Sequence, residues 1–380
     1  MRVMYIAPRY HTNQAAIIKG FVEHGHEVCF LSHYRGSIED YTYAEPIIVG
    51  YSPIFHLFEK IYVKLNKGKP QASDIKLKIG FPSIMKLNKY IKKFGPDVVI
   101  LRERSVYSIF AYIICRIRKY PAILYNQSPL WEREIKNDLA HRFVRMLSPE
   151  VRITPVYGDE TINKAKEDKA YFVPFVIEPK VSYQDKRYLE GQKLHIFAIG
   201  KYEKRKNHLM LLDVFEKLAA DFDIELVLAG ECSTKFHREY YAEVEKAIKD
   251  KKIDNKVKAL KNLSKKQVEE EYRMADIFVI PSTKEPASIS QLEAMAFSLP
   301  VICSDTNGTA CYVEDGKNGY RFKDNNSADL KAKIEEIVSD ETKLRRMGKA
   351  SYCMVEEKYD FMRYYNSIFD IMNQEFNFEE

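Results

Sequence analysis

At 380 residues the chain exceeds one ordinary domain, and domains of about 100–200 residues suggest two. A hydrophobic fraction of 46% supports two cores, but no run reaches the roughly 18–20 apolar residues that cross a bilayer, and the longest, residues 108–115, stops at Arg116, which excludes a membrane-spanning enzyme. The net charge of +6 is mild for a nucleic-acid binder, so no nucleic-acid partner is expected; it fits an anionic ligand or an acidic membrane surface.

The opening residues 1–8 are apolar over too short a stretch for a signal peptide and read as a buried strand, so a cytoplasmic location is expected. Short apolar runs then alternate with longer amphipathic stretches, the pattern of βαβ units whose parallel sheet is covered on both faces. Strands are predicted at 3–7, 27–32, 46–49, 97–101, 122–125 and 152–156 in the first half, and at 194–200, 224–229, 257–260, 277–281 and 300–304 in the second. The fold class is therefore α/β, with a domain over 1–178, a second over 179–355, and a Pro-containing linker at Pro174–Pro179. Residues 356–380 are predicted as a helix with Tyr359, Phe361, Met362, Tyr365, Ile368, Phe369 and Met372 at helical spacing, packing on more than its own domain. Six cysteines without CxxC pairs read as reduced packing residues.

Residues 52–69 place Ile54, Phe55, Phe58, Ile61, Tyr62 and Leu65 on one helical face with lysines on the flank. Such a stretch either lies in a membrane interface or packs on a core. After the first strand come His11 and Asn13, and after the fourth come Arg102, Glu103 and Arg104, which form either a site for an acidic or phosphorylated ligand or an internal ion-pair cluster.

The second half concentrates the chemistry. Gly200 ends a strand, and Lys201, Lys204, Arg205 and Lys206 precede a helix N-terminus, where cations oppose the macrodipole unless an anion is near. The strand ending at Pro281 leads to Glu285, then to Ser288 and Gln291 at capping-box spacing, and to Glu293 on the second turn of the helix that follows. Two carboxylates and a helix start, with the amides of Ala287, Ser288 and Ile289, thus come to the carboxyl end of a parallel strand, which suits a diphosphate. Asn307 and Gly308 sit in another small turn facing the same end. The one Asp-x-Asp, Asp221-Phe222-Asp223, precedes a strand and so falls at the opposite end.

The Glu-x7-Glu of Glu285 and Glu293 with Ala294-Met295, the Asp315-Gly316-Lys317-Asn318-Gly319 turn, Leu228-Ala229-Gly230 and the basic segment from Gly200 to Lys206 resemble retaining glycosyltransferase family 4, from about Leu194 to Phe322. The resemblance implies the GT-B fold, two Rossmann-like domains with parallel sheets facing a central cleft, an N-terminal acceptor domain, a C-terminal donor domain and a last helix crossing back to the first. It further implies transfer of a hexosyl or HexNAc unit from a nucleotide sugar, with a UDP-sugar as first choice. The acceptor would be a glycan or lipid-linked molecule used in surface polysaccharide biosynthesis at the inner face of the membrane, and no cofactor or essential metal would be needed. Glu293 would hold the ribose, Lys201 and Lys206 the diphosphate beside Gly200 and Arg205, and Glu285 the transferred sugar. Lys201 stands where the family usually has Arg, and Pro286 where it has Gly. In the acceptor half Asn126 and Gln127 replace the family's usual His; either would hold the sugar without moving a proton, and His11, Asn13 and Arg102 are the other acceptor-side residues expected. These departures leave as one alternative a non-catalytic scaffold subunit that binds nucleotide sugars; the other, an enzyme of this fold such as a sugar-nucleotide epimerase or a phosphorylase, is opposed by the Glu-x7-Glu with Ala294-Met295.

Overall fold

The computed structural model describes residues 1–36, 39–65, 76 and 79–378, in two units: Met1–Val176 with Phe361–Glu380, and Ile177–Asp360. In the first, β1 (Arg2–Ile6), β2 (Glu27–Ser32), β3 (Ile47–Ile48), β4 (Val98–Arg102), β5 (Ala122–Tyr125), β6 (Arg152–Thr154) and β7 (Ala170–Phe172) pair in parallel in the order β3-β2-β1-β4-β5-β6-β7. Between them run α1 (Ala15–Glu23), α2 (Pro53–Leu65), α3 (Ile84–Phe94), α4 (Val106–Arg118) and α5 (Leu139–Met146). β1 and β4 are almost wholly apolar because both faces are covered. Ile18 and Phe21 of α1 pack on one face, and Leu87, Ile91, Tyr107 and Cys115 of α3 and α4 pack on the other.

The second unit repeats the scheme with β8 (Leu194–Ile199), β9 (Ile224–Gly230), β10 (Val257–Lys261), β11 (Ile277–Ile280), β12 (Val301–Ser304) and β13 (Gly319–Phe322), all parallel, in the order β10-β9-β8-β11-β12-β13. Its helices are α6 (His208–Leu218), α7 (Lys235–Asp250), α8 (Lys265–Met274), α9 (Ile289–Ala296), α10 (Ser327–Val338) and α11 (Glu341–Lys358), and α12 (Phe361–Phe376) returns to the first unit. Among the described residues no helix is long and apolar enough to cross a membrane.

Three expectations change. β7 and β13, three and four residues long, are too short to show a period and were not expected as strands. The helix expected over 356–380 breaks at Tyr359 and Asp360: Tyr359 is buried in the second unit with its ring 4.9 Å from that of Tyr312, while Tyr364, Ile368, Ile371 and Met372 of α12 enter the core of the first. The apolar face of α2 splits, because Phe55 is buried beside Phe81 and Tyr51 whereas Ile54, Leu57, Phe58, Ile61 and Leu65 stay exposed. Residues 66–69 of that stretch lie outside the described residues.

Candidate functional site

In each sheet the strand order reverses at one place, between β1 and β4 and between β8 and β11. The loops leaving the carboxyl ends of such neighbours diverge to opposite faces of the sheet and leave a crevice where ligands bind. The residues singled out in the second half leave β8, β11 and the adjacent β12.

After β8 the buried Tyr202 anchors the loop by its hydroxyl, 2.8 Å from the Leu260 carbonyl and 3.2 Å from that of Leu228. The chain then makes a 3-10 turn over Lys204–Lys206 and passes through Asn207 at φ 56° into α6. This turn sends the Lys206 side chain back over Gly200, where a Cβ would lie 2.9 Å from the Lys206 Cδ and would push that side chain aside. After β11 the Thr283 amide donates to the Arg205 carbonyl at 2.9 Å, so the two loops are joined by backbone. Glu285 follows, buried, and its Oε2 accepts from Arg205 Nη1 and from Lys206 Nζ, each at 2.5 Å. A carboxylate shared by two cations in a mostly buried position orders all three side chains.

From β12 the turn at Asn307 and Gly308 closes on the same loop, with the Gly308 amide donating to the Glu285 carbonyl at 2.7 Å. A Cβ on Gly308 would fall 1.8 Å from the Pro286 carbonyl oxygen, so the approach requires glycine.

The expected capping box at α9 does not form. Gln291 turns away from Ser288, its Nε2 donating to the Thr309 carbonyl at 2.9 Å and its Oε1 accepting from Asn307 Nδ2 at 3.1 Å. The buried Asn307 is thereby committed to holding two loops together. The Ser288 amide reaches Thr309 Oγ1 at 3.3 Å, whereas the amides of Ala287 and Ile289 have no acceptor within the chain among the described residues. They are the open donors at this helix start.

Glu293 lies partly buried on α9 with the Tyr272 hydroxyl of α8 3.1 Å from its Oε2. Burial raises its carboxyl pKa above the ordinary value and the Tyr272 hydroxyl draws it down. Tyr272, itself buried, was not singled out in the sequence; it lies on another helix 21 residues upstream, and no local pattern links the two. Lys201 differs from its neighbours in pairing with Glu231 at 3.1 Å, with about half of its side chain exposed. The structure thus brings Gly200, Arg205, Lys206, Glu285 and Gly308 together and leaves Lys201 turned to another carboxylate. Asp221 and Asp223 lie at the amino end of β9.

At the switch point of the first unit Asn13 stands between Arg102 and Tyr125: Arg102 Nη1 donates to Asn13 Oδ1 at 3.2 Å, and Asn13 Nδ2 reaches the Tyr125 hydroxyl at 3.5 Å. The buried Arg102 guanidinium stacks 5.1 Å from the Tyr125 ring centroid, and its Nε has no hydrogen-bond partner. Burial gives the Tyr125 hydroxyl pKa the larger, upward push, and Gln127 lies close enough to that hydroxyl to lower it. His11 accepts from Arg9 Nε at 3.1 Å, and burial, then Arg102 and Arg9, push its pKa down to about 2, so the imidazole is neutral. Asn126 is tied elsewhere, its Oδ1 accepting from Arg152 at 3.2 Å. Arg104 and Arg152 both pair with Glu167, so Arg104 belongs to an internal ion-pair cluster, while Arg102, the last residue of β4, faces the switch point with its Nε 3.6 Å from Glu103 Oε1.

Residues 182–354 match the family described as Glycosyl transferases group 1. Spore coat protein SA of Bacillus subtilis is 28% identical over 46% of this chain and 47% of its own length, so the chain aligns with about half of that relative. An uncharacterized glycosyltransferase of Haemophilus influenzae is 23% identical over 82% of this chain and 85% of its own. The Anabaena protein Alr3699/HepE, solved in complex with UDP-glucose, superposes with a TM-score of 0.71 at 14% identity over 98% of this chain and all of that one, which shows the fold. The second unit is therefore similar to a group 1 glycosyltransferase domain over residues 182–354, and the chain has the GT-B fold.

Proposed function

We propose that the protein is a retaining glycosyltransferase of family 4 that moves a hexosyl or HexNAc unit from a nucleotide diphosphate sugar, first of all a UDP-sugar, to a glycan or lipid-linked acceptor in surface polysaccharide biosynthesis. The observation that carries this reading is the joining of Arg205 and Lys206 on Glu285, in the same short loop that leads through the open amides of Ala287 and Ile289 into α9. A nucleoside diphosphate has the charge those groups lack, and its ribose hydroxyls match the carboxylate of Glu293. When the sugar leaves, negative charge grows on the diphosphate, and preorganised cations and amides favour that state over the ground state. Because Lys206 and Arg205 supply this charge, no essential metal is required. Glu285, held between the cations, would accept from the transferred sugar's hydroxyls. The acceptor would meet His11, Asn13, Arg102 and Gln127, and a neutral His11 accepts a hydrogen bond without repelling Arg102. The enzyme would work at the cytoplasmic face of the membrane, with α2 as one contact. That UDP-glucose occupies a protein of the same fold supports the choice of donor.

The test is a thermal-shift screen against UDP, GDP, CDP, ADP and dTDP on the wild type and Glu293→Ala, followed by NMR of the anomeric configuration of any transfer product. Stabilisation by UDP at saturating concentration, lost in the variant, is expected, since a ligand bound only to the folded state raises its stability. No shift with any nucleotide, or an inverted product, would refute the reading.

A further inference from the structure

More than half of the large apolar side chains exposed among the described residues lie on four helices of the first unit, α2 to α5. α3 and α4 cover the sheet face opposite α1 and α12, and α2 joins the same layer through Phe55, Phe81 and Phe110, whose rings contact in sequence. α5 is the most telling. None of its residues is buried, and Leu139, Phe143 and Met146, one helical face at i, i+4 and i+7, are 83%, 58% and 60% exposed. Eight residues do not hold a helix by local propensity in water, so a partner for that face is missing. Beside it Tyr112, Ile113, Arg116 and Ile117 of α4 line, with Met146 and Leu147, a groove of about 320 Å³. Ile117 is 76% exposed.

The charge on this layer is one-sided. Each of the four helices carries at least two Lys or Arg, and Glu59 is their only acidic residue, already paired with Lys76 at 3.0 Å. The helices of the second unit mix both signs, apart from α9, whose one charged residue is Glu293. A protein partner would need a strongly acidic face around an apolar centre, whereas an anionic bilayer offers both over any area: headgroups for the cations and an acyl boundary for the apolar side chains.

We propose that the layer of α2 to α5, with α5 and the adjoining α4 groove at its centre, is a docking surface for an anionic phospholipid bilayer. It extends the membrane contact proposed above from one helix to a whole face of the first unit, and its test does not depend on transfer activity.

The full chain is sedimented with vesicles of phosphatidylglycerol and phosphatidylcholine and with vesicles of phosphatidylcholine alone, at low and high salt. Binding to the anionic vesicles that weakens with salt is expected, and Ile117→Glu with Phe143→Glu should reduce it by about tenfold or more. The variant's melting temperature and nucleotide-induced shift should match the wild type, because both side chains are exposed; Arg142→Gln with Arg145→Gln should weaken binding without touching any apolar group. Absence of binding, equal binding to neutral vesicles, or binding unchanged in both variants would overturn the proposal. So would a wild-type dimer by light scattering that the glutamate variant dissociates, since the face would then be covered by a second copy. A nucleotide shift without vesicle binding would sink this proposal and leave the donor site standing; the reverse result would do the opposite.

Discussion

Glu293 lies where burial disfavours its charge, and the Tyr272 hydroxyl is the group the structure gives it in compensation. Tyr272 acts through that carboxylate and touches no other expected ligand group. Tyr272→Phe keeps the ring, which packs 5.4 Å from that of Phe297, and removes only the hydroxyl with its two contacts, to Glu293 and to the Ser290 carbonyl, each at 3.1 Å. The expected result is a loss of about 1 kcal/mol in nucleotide binding, read by titration calorimetry as a several-fold weaker Kd, with kcat for transfer changed much less than the donor KM. A kcat loss at unchanged KM would mean that the hydroxyl serves the reaction and not the positioning of Glu293.

The two loops of the site are held by elements and not by side-chain chemistry alone. β11 and β12 are neighbours, so the turns leaving them run side by side, and the Gly308 amide and Glu285 carbonyl close the gap. Since the atom a Gly308→Ala methyl would meet is backbone, relief requires the 285–287 loop to move. Overpacking of this kind costs about 1–3 kcal/mol. The melting temperature of the variant should fall by roughly 2–4 °C per kcal/mol, and nucleotide affinity should fall with it because Glu285 and the amide of Ala287 shift together. Wild-type affinity in that variant would show that the loop contact does not order the site.

Across the whole molecule burial lowers histidine pKa values in both units: in the first, His11 is pushed down to about 2 by burial and then by Arg102 and Arg9, and burial also lowers His33; in the second, His208 is pushed down to about 3 by burial and then by Lys206. Both folded values lie below the unfolded value near 6.5, so the folded protein binds fewer protons than the unfolded chain between them. Their stabilising effect is complete above about pH 6.5 and is lost progressively as pH falls towards the folded values. Thermal melts from neutral to pH about 5 should therefore show a falling melting temperature, and His208→Gln should flatten that slope whatever it does to the neutral-pH stability. A slope identical in the variant would assign the acid sensitivity to other groups.

How much of this could be read from the chain follows from where the forces act. Parallel strands buried on both faces must be apolar throughout, so β1, β4, β8, β11 and β12 announce themselves as runs, and a strand-to-helix loop at a sheet's carboxyl end puts Lys206, Glu285 and Gly308 near one another by topology alone. The sequence by itself thus determined the α/β class and the membership of most of the site, since both depend on local pattern and chain order. Only the tertiary structure decided the rest. Whether Gln291 caps its helix or braces Asn307 and Thr309, whether Lys201 or Arg205 meets Glu285, and which tyrosine supports Glu293 are competitions among partners far apart in sequence. Their outcome rests on differences of an ångström or so in approach, and the same holds for α5, whose apolar face reads as core in any pattern and is shown to be bare only when the helices around it are in place.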